Sequence, residues 1–207
     1  MTGYFDNALR IISDSVRSLD EAAFGRLIGD CAEAAGRGGR IIASGLGKNV
    51  PVCEKFIGTL NSLGVSAAFL HTNSAMHGDL GLVREGDVVL LLSKSGGTAE
   101  TLQLLEHLER KRANVWGFSF SRDGALCKRC RNSILLELEH EGDQWDIMPN
   151  NSTAVYLIVL QGLAMQLAEK LGLTLGVFRG NHPGGKIGER LGGQAEGGAG
   201  ARDGGGG

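Results

Sequence analysis

The segment VVLLLSKSGGTAETL, residues 88–102, decides the fold class of this 207-residue chain. Its first five residues, Val88–Leu92, form a continuous apolar run of the kind that fills a fully buried parallel strand. The run ends in SKSGGT, and the apolar spacing becomes helical from Ala99 onward. A strand that passes through a Ser- and Gly-rich loop directly into a helix is typical of a βα unit in a parallel α/β sheet.

Four more segments have the composition of short strands, and helical patterns separate them. They are RIIAS (40–44), SAAFL (66–70), NVWGFSF (114–120) and SILLEL (133–138). Helical patterns at 4–19 and 20–35 precede the first strand, and a long helix is expected over about 150–171. Strands that alternate with helices predict a five-stranded parallel sheet covered by helices on both faces.

The composition argues against several classes of partner. The formal net charge is −2 and the isoelectric point is near 6.2, so the chain lacks the basic field that binds nucleic acid or an anionic membrane surface. The N-terminus MTGYFDNALRII has no signal-peptide pattern. The apolar run at 154–168 is shorter than the ~20 residues that span a bilayer. We therefore expect a cytoplasmic protein with no nucleic-acid or membrane partner.

The four cysteines, at positions 31, 53, 127 and 130, predict reduced thiols. Cys127 and Cys130 form CKRC, which is compatible with a redox pair or half of a zinc site. The sequence has no second CxxC and no HxxxH to supply the remaining ligands. The simpler interpretation is a short basic surface helix with one or two partly buried thiols, and we predict no metal and no cofactor.

The SKSGGT loop is the best candidate for a ligand site. Ligands of parallel α/β sheets bind at the carboxyl ends of strands, beside helix N-termini, which places SGLGKN and SKSGGT at one edge of the sheet. The hydroxyls of Ser93, Ser95 and Thr98 and the amides of Gly96 and Gly97 suit a phosphate group. Simple N-capping of the next helix is an equally open alternative. GxxxxGK[ST] and GxGxxG are absent from both loops, so nucleotide binding is disfavoured.

Five motifs resemble, in order and spacing, the sugar isomerase (SIS) domain of arabinose-5-phosphate isomerases. They are GLGKN (45–49), HGDLGLV (77–83), SKSGGTAE (93–100), MPNNST (148–153) and NHPGGKIGERL (181–191). HGDLG together with HPGG is specific to that branch, whereas SxSG marks only the superfamily. The resemblance covers roughly residues 5–191. It implies a three-layer αβα sandwich and the reversible conversion of D-arabinose 5-phosphate to D-ribulose 5-phosphate without a cofactor.

Aldose–ketose isomerisation needs a base, an acid and a cation near the enediolate, and the resemblance supplies four candidates. Lys48 matches the motif lysine, unless it is only an exposed residue at a helix start. Glu100 lies one turn into the helix behind the phosphate loop. Glu141 precedes Pro149 at the spacing of an active-site glutamate in similar proteins, although a solvated acidic loop is equally open. His182, held in a rigid NHPGG turn, is a good proton shuttle.

Ser44, Asn49 and His77 complete the candidate substrate contacts, and Asp79 either orients its loop or belongs to a structural turn. In the family, the histidine of the HPGG motif reaches the site of a neighbouring subunit. The resemblance therefore implies a homo-oligomer, a dimer of dimers, in which His182 completes the site of another chain.

The chain also departs from the family pattern. Lys94 and Gly97 replace an Asn and often a Glu, Asn49 replaces a small serine, and Asn150 and Asn151 present amides where hydroxyls are expected. These departures predict altered recognition of the sugar hydroxyls, while the reaction class is retained.

One SIS domain is expected over residues 1–191. Residues 192–207, GGQAEGGAGARDGGGG, are mostly glycine and contain no large apolar side chain, so we predict a disordered tail. Many family members continue into a pair of CBS modules. This segment is too short for them, so we expect that nucleotide-sensing layer to be absent.

Two other functions stay open. The first is an isomerase of a different pentose or hexulose phosphate. The second is a non-catalytic regulator that binds a phosphosugar. Such regulators usually carry a helix-turn-helix domain, for which the stretch before the first strand is too short, and the four candidate acid–base residues favour catalysis.

Overall fold

The structure is a computed structural model that describes residues 2–196, and helices and strands alternate along it. The strands are β1 (Ile41–Gly45), β2 (Ala67–Phe69), β3 (Val88–Leu92), β4 (Asn114–Ser119) and β5 (Asn132–Leu135). The helices are α1 (Thr2–Arg17), α2 (Glu21–Gly36), α3 (Asn49–Ser62), α4 (Thr72–Ala75), α5 (Ala99–Arg110), α6 (Ala125–Arg129), α7 (Asn151–Lys170), α8 (Leu175–Gly180) and α9 (Gly185–Glu196), with a 3₁₀ turn at Asp79–Leu82. All five predicted strands are present.

The sheet is parallel throughout, in the order β2-β1-β3-β4-β5. β1 and β3 are neighbours in the sheet although β2 lies between them in sequence. The strand order therefore reverses direction between β1 and β3. At such a switch point the loops leaving the two strands run to opposite sides and leave a crevice for a ligand. The loops that follow β1 and β3 are the two that the sequence marked.

The strand side chains alternate between two cores, one on each face of the sheet. Ile41, Leu90 and Phe118 pack in the core with α2, α3 and α7. Ile42 and Leu91 pack in the core with α4, α5 and α6. The predicted three-layer αβα sandwich is confirmed, and the continuous apolar run of β3 is explained because both of its faces are buried.

Helix α7 has the length and apolar composition of a membrane span, but half of its most apolar stretch is buried within the fold. It packs against α1, α2 and α3. Tyr156, Leu160 and Leu163 are fully buried in the core. The expected long helix is therefore a core helix.

Helix α8 lies at the edge of the sheet opposite the crevice. Asn181, just after α8, donates its side-chain amide to the Ser62 carbonyl at 3.2 Å. A Cβ added to Gly64, where φ is +83°, would lie 2.8 Å from Val177 Cγ1. Both contacts are at the C-terminal end of α3, where the chain turns into the start of β2.

The final helix ends at Glu196, so residues 192–196, which the sequence assigned to the tail, are helical. Residues 197–207, the rest of the predicted tail, lie outside the described residues. The domain boundary near residue 191 stays a prediction.

Candidate active site

The loop Ser93–Thr98 connects β3 to α5 at the switch point. Ser93 is buried, and its Oγ is 2.9 Å from Thr98 Oγ1. Ser95 is exposed, and its Oγ accepts a hydrogen bond from the Gly97 N–H at 3.2 Å. Three hydroxyls and a glycine amide are therefore gathered beside the N-terminus of α5.

Gly96 fixes the shape of this loop. Its φ is +63°, and an added Cβ would lie 3.0 Å from the Cα of Gly124 and 3.1 Å from Ser119 Oγ. Its carbonyl accepts the Leu126 N–H at 2.8 Å. A side chain at position 96 would therefore strain the backbone and push the loop off the segment that supports it.

Thr98 occupies the N-cap position of α5, but its side chain makes no capping hydrogen bond. The capping interpretation left open by the sequence is therefore not supported by the geometry. Backbone amides of a first helical turn that no side chain caps are donors for an anion, and the helix dipole adds positive potential there.

The loop after β1 borders the same crevice. Lys48 is exposed at the start of α3. Asn49 donates its side-chain amide to the Leu92 carbonyl at 3.4 Å and so ties α3 to the end of β3. Ser44 is completely buried, with its Oγ 2.9 Å from Thr72 Oγ1. Ser44 is therefore a core residue at the end of β1 whose hydroxyl bonds to Thr72. The geometry does not support the predicted substrate contact at this residue.

His77 is exposed between α4 and the 3₁₀ turn, and α4 packs against α5. Glu100 is exposed in the first turn of α5, beside the phosphate loop, as predicted. The structure thus brings the loops that carry Lys48 and His77 and the helix that carries Glu100 to one edge of the sheet.

His71 was missed by the sequence analysis. It lies two residues after β2, and its Nδ1 is buried with no hydrogen-bond partner among the described residues. The available signal was a histidine in a βα loop, the part of an α/β fold in which ligand-binding residues collect.

Glu141 is fully buried, so it does not belong to a solvated acidic loop. Its Oε2 accepts the backbone N–H of Asn150 at 3.0 Å and that of Ser152 at 2.9 Å. Its Oε1 accepts Ser152 Oγ at 2.6 Å and lies 2.7 Å from Lys94 Nζ. The carboxylate thus holds the N-terminus of α7, and its predicted role as an acid–base group is not supported by this saturated geometry.

Two opposing effects set the pKa of Glu141. Burial raises it, but the hydrogen bonds from Lys94, from the Ser152 side chain and from two backbone amides outweigh burial, so the pKa lies below its usual 4.5. Those donors stabilise only the ionised form.

A pH dependence of stability follows from this lowered pKa. Because the folded-state pKa lies below the unfolded one, ionised Glu141 stabilises the fold above pH 4.5, and this contribution is lost as the pH falls through the folded-state pKa. We expect the stability advantage of the parent protein over Glu141→Gln to be constant near neutrality and to shrink in acid. Urea unfolding at a series of pH values measures it, with the exposed Glu54→Gln as the matched control. An advantage that grows in acid would contradict the assignment.

His182 lies away from the crevice, two residues after the end of α8. Its ring stacks on Phe178 with the centroids 4.0 Å apart, and its Nδ1 is 2.7 Å from the Phe178 carbonyl oxygen. A carbonyl oxygen only accepts, so Nδ1 carries the proton in this bond, and Nε2 is left as the acceptor for an incoming proton. The ring lies at the edge of the sheet opposite the Ser93–Thr98 loop.

The environment of Cys130 in the CKRC pair argues against a redox or metal-binding role. Cys130 is buried, and burial raises the pKa of its thiol to about 12. A thiol held protonated in this way is a poor nucleophile and a poor metal ligand. Within residues 2–196, no group of three or more His, Cys, Asp or Glu side chains is placed to hold a metal ion.

Comparison with known proteins settles the family. Residues 37–168 match the SIS domain. The chain belongs to the SIS domain family. A Pseudomonas aeruginosa protein named arabinose 5-phosphate isomerase KdsD is 35% identical over 153 residues, 74% of this chain and 47% of that protein. The chain thus spans about half the length of the curated relatives it matches.

Solved structures of other proteins agree with the fold. The Escherichia coli CFT073 protein c3406, solved in complex with arabinose 5-phosphate, aligns with a TM-score of 0.78 and 30% identity, over 84% of this chain and 91% of that one. A Listeria monocytogenes structure aligns with a TM-score of 0.83 at 23% identity, over 88% of this chain and 94% of that one. The second likeness shows the fold alone.

Proposed function

We propose that this SIS domain is an aldose–ketose isomerase of a phosphorylated sugar, acting on D-arabinose 5-phosphate to form D-ribulose 5-phosphate. The observation that carries the proposal is the Ser93–Thr98 loop, which places three hydroxyls beside first-turn amides that Thr98 does not cap. The relatives point to the same substrate, since one is named for it and another was solved with it bound.

The proposed reaction moves a carbonyl from C1 to C2 within the open-chain sugar. With the phosphate at the loop, Glu100 is one turn along α5 and takes the proton from C2. The C1 oxygen gains a proton as the enediol forms, and Lys48 stabilises negative charge on the enediolate. The C2 hydroxyl then loses its proton as C1 gains one, so the step is balanced without an external oxidant. His182 shuttles protons between the oxygens.

His182 can reach this site only from a second chain. It follows α8, which lies by the C-terminal end of α3, whereas the phosphate loop faces the N-terminal end of α3. Large apolar side chains remain exposed on α7, α8 and α9, namely Ile158, Met165, Leu175, Val177 and Ile187. Contacts between copies of the chain would cover such side chains. We therefore propose a homo-oligomer, a dimer of dimers, with His182 donated across an interface.

A second candidate is an isomerase of another pentose or hexulose phosphate. Lys94 and Gly97 favour it, because both depart from the family pattern within the phosphate loop itself. NMR of the protein with arabinose 5-phosphate in D₂O, and then with a panel of other aldose phosphates, separates the candidates. Ketose with deuterium at the transferred position identifies reaction and substrate together. No exchange with any sugar phosphate would leave the regulator alternative.

Removing one loop hydroxyl should weaken binding without unfolding the protein. A hydrogen bond to a charged group contributes about 1.5–3 kcal/mol, so we expect Ser95→Ala to raise the Kd for the phosphosugar by about 10- to 150-fold. Calorimetric titration measures this, with Ser62→Ala, at the opposite edge of the sheet, as the control. Equal affinity of the parent protein for the phosphorylated and dephosphorylated sugar would refute the phosphate assignment.

Chelation should leave the activity unchanged. The proposed roles are filled by the ammonium of Lys48, the carboxylate of Glu100 and the imidazole of His182, so no step calls for a metal. Assays before and after dialysis against EDTA test this expectation. Activity that disappears with EDTA and returns with one divalent ion would overturn the cofactor-independent mechanism.

A further inference from the structure

The Lys94–Glu141 ion pair joins the phosphate loop to the N-terminus of α7. Lys94 lies between Ser93 and Ser95 in sequence, and its Nζ is 2.7 Å from Glu141 Oε1. The Glu141 side chain is 0% exposed, whereas that of Lys94 is 40% exposed. The loop is anchored at the same point, because the Lys94 carbonyl accepts the Phe120 N–H at 3.1 Å.

Two other departures from the family pattern, Asn150 and Asn151, belong to the same cluster. Asn150 donates its side-chain amide to the Glu141 carbonyl at 3.1 Å. Asn151, which is buried, donates to the His140 carbonyl at 3.0 Å. These amides are therefore used to hold the segment between β5 and α7, and the altered sugar contact that the sequence predicted for them is not supported. Lys94 reinforces the same segment from the phosphate loop.

The pair also connects the two walls of a cavity. A cavity of about 330 Å³ lies beside the loop, with Lys94 and Ser95 on one side and His140 and Asp146 on the other. Asp146 in turn accepts the Glu141 backbone N–H at 2.7 Å. The bond between Lys94 and Glu141 therefore links the two walls of this cavity.

We propose that Lys94 is a positioning residue of the isomerase proposed above, tying the phosphate loop through Glu141 to the segment 139–150. Glu141 serves as this tie and does not carry a proton in the reaction. Only the expected effects on KM and kcat rest on the proposed function. The tie itself is a property of the fold and can be measured without turnover.

Removing one member of the ion pair should change the stability of the protein differently from removing both. Without Lys94, the buried Glu141 carboxylate loses its only cationic partner among the described residues, and an uncompensated buried charge is strongly destabilising. Without both groups, no charge is left to compensate. The two substitutions should therefore be strongly non-additive.

The test compares Lys94→Met, Lys94→Arg, Glu141→Gln and the double variant Lys94→Met/Glu141→Gln by urea unfolding, by titration with inorganic phosphate, and by kinetics. Lys128→Met, which breaks the exposed pair with Asp123, is the matched control. We expect Lys94→Met to lower the urea midpoint and Lys94→Arg to restore it, with the double variant no less stable than Glu141→Gln alone. In kinetics, Lys94→Met and Glu141→Gln should raise KM by about tenfold or more, with kcat reduced by less than about tenfold.

Two results would overturn the proposal. One is a Glu141→Gln protein with parent-like stability and KM whose kcat falls by more than about 10², the behaviour of a proton-carrying group. The other is full additivity of the Lys94 and Glu141 substitutions in urea unfolding. If no sugar phosphate is turned over, the proposed function fails, but the urea measurements still decide whether the tie exists.

Discussion

Replacing His182 with Ala should lower kcat by about 10²–10⁴ while leaving the affinity for inorganic phosphate nearly unchanged. The structure supplies the reason for both parts. The ring is fixed by its bond to the Phe178 carbonyl and by stacking on Phe178, with Nε2 as the proton acceptor. The phosphate loop, in contrast, belongs to the opposite edge of the sheet and makes its contacts without His182.

Steady-state kinetics and calorimetry on the same preparation separate the two quantities. His107→Ala, which removes a half-buried histidine from the last turn of α5, is the control for loss of an imidazole elsewhere. Full activity of His182→Ala would remove the residue from the mechanism. A matching loss of phosphate affinity would show that it binds the phosphate and does not transfer protons.

Mixing two inactive variants should restore activity. α3 has 14 residues and is about 21 Å long, and this length separates the α8 end from the phosphate-loop end of the sheet. Glu100 and His182 of one chain therefore lie at opposite edges of the sheet. If each site takes Glu100 from one chain and His182 from its partner, a mixed dimer of Glu100→Ala and His182→Ala has one intact site and one doubly altered site.

The expected recovery can be estimated. Random pairing of equal amounts yields half mixed dimers, so about a quarter of all sites are intact. Activity is measured after mixing, unfolding in urea and joint refolding, and each variant refolded alone is the control. Subunit exchange is verified with a differently tagged copy of each variant. Demonstrated exchange without recovered activity would mean that each site is built from a single chain.

Short-range pattern accounts for most of what could be predicted. The apolar run Val88–Leu92, followed by the hydroxyl- and glycine-rich loop, predicted both a buried strand and an anion site at its end, and the structure places that loop at the switch point. Glu100 was placed correctly because a helix fixes the position of its first turn relative to the loop that precedes it.

Residues whose role depends on partners far along the chain could not be predicted in this way. Ser44 looked like a loop hydroxyl available to a substrate, but its hydroxyl is buried and hydrogen-bonded to Thr72, 28 positions later. Asn150 and Asn151 looked like substrate-facing amides, but they bond to the carbonyls of the segment that precedes α7. Each correction comes from a hydrogen bond that forms only when the loops are packed together.

Apolar periodicity and turn residues act within a few positions of one another, so the layers, the strands and the hydroxyl- and glycine-rich loop after β3 could be predicted from the sequence. Only the tertiary structure decided that Glu141 is a buried tie to Lys94, and it places His182 beside the C-terminal end of α3. Burial and charge pairing are properties of groups that folding brings together, and the parallel sheet sets the two edges apart by the length of its strands and helices.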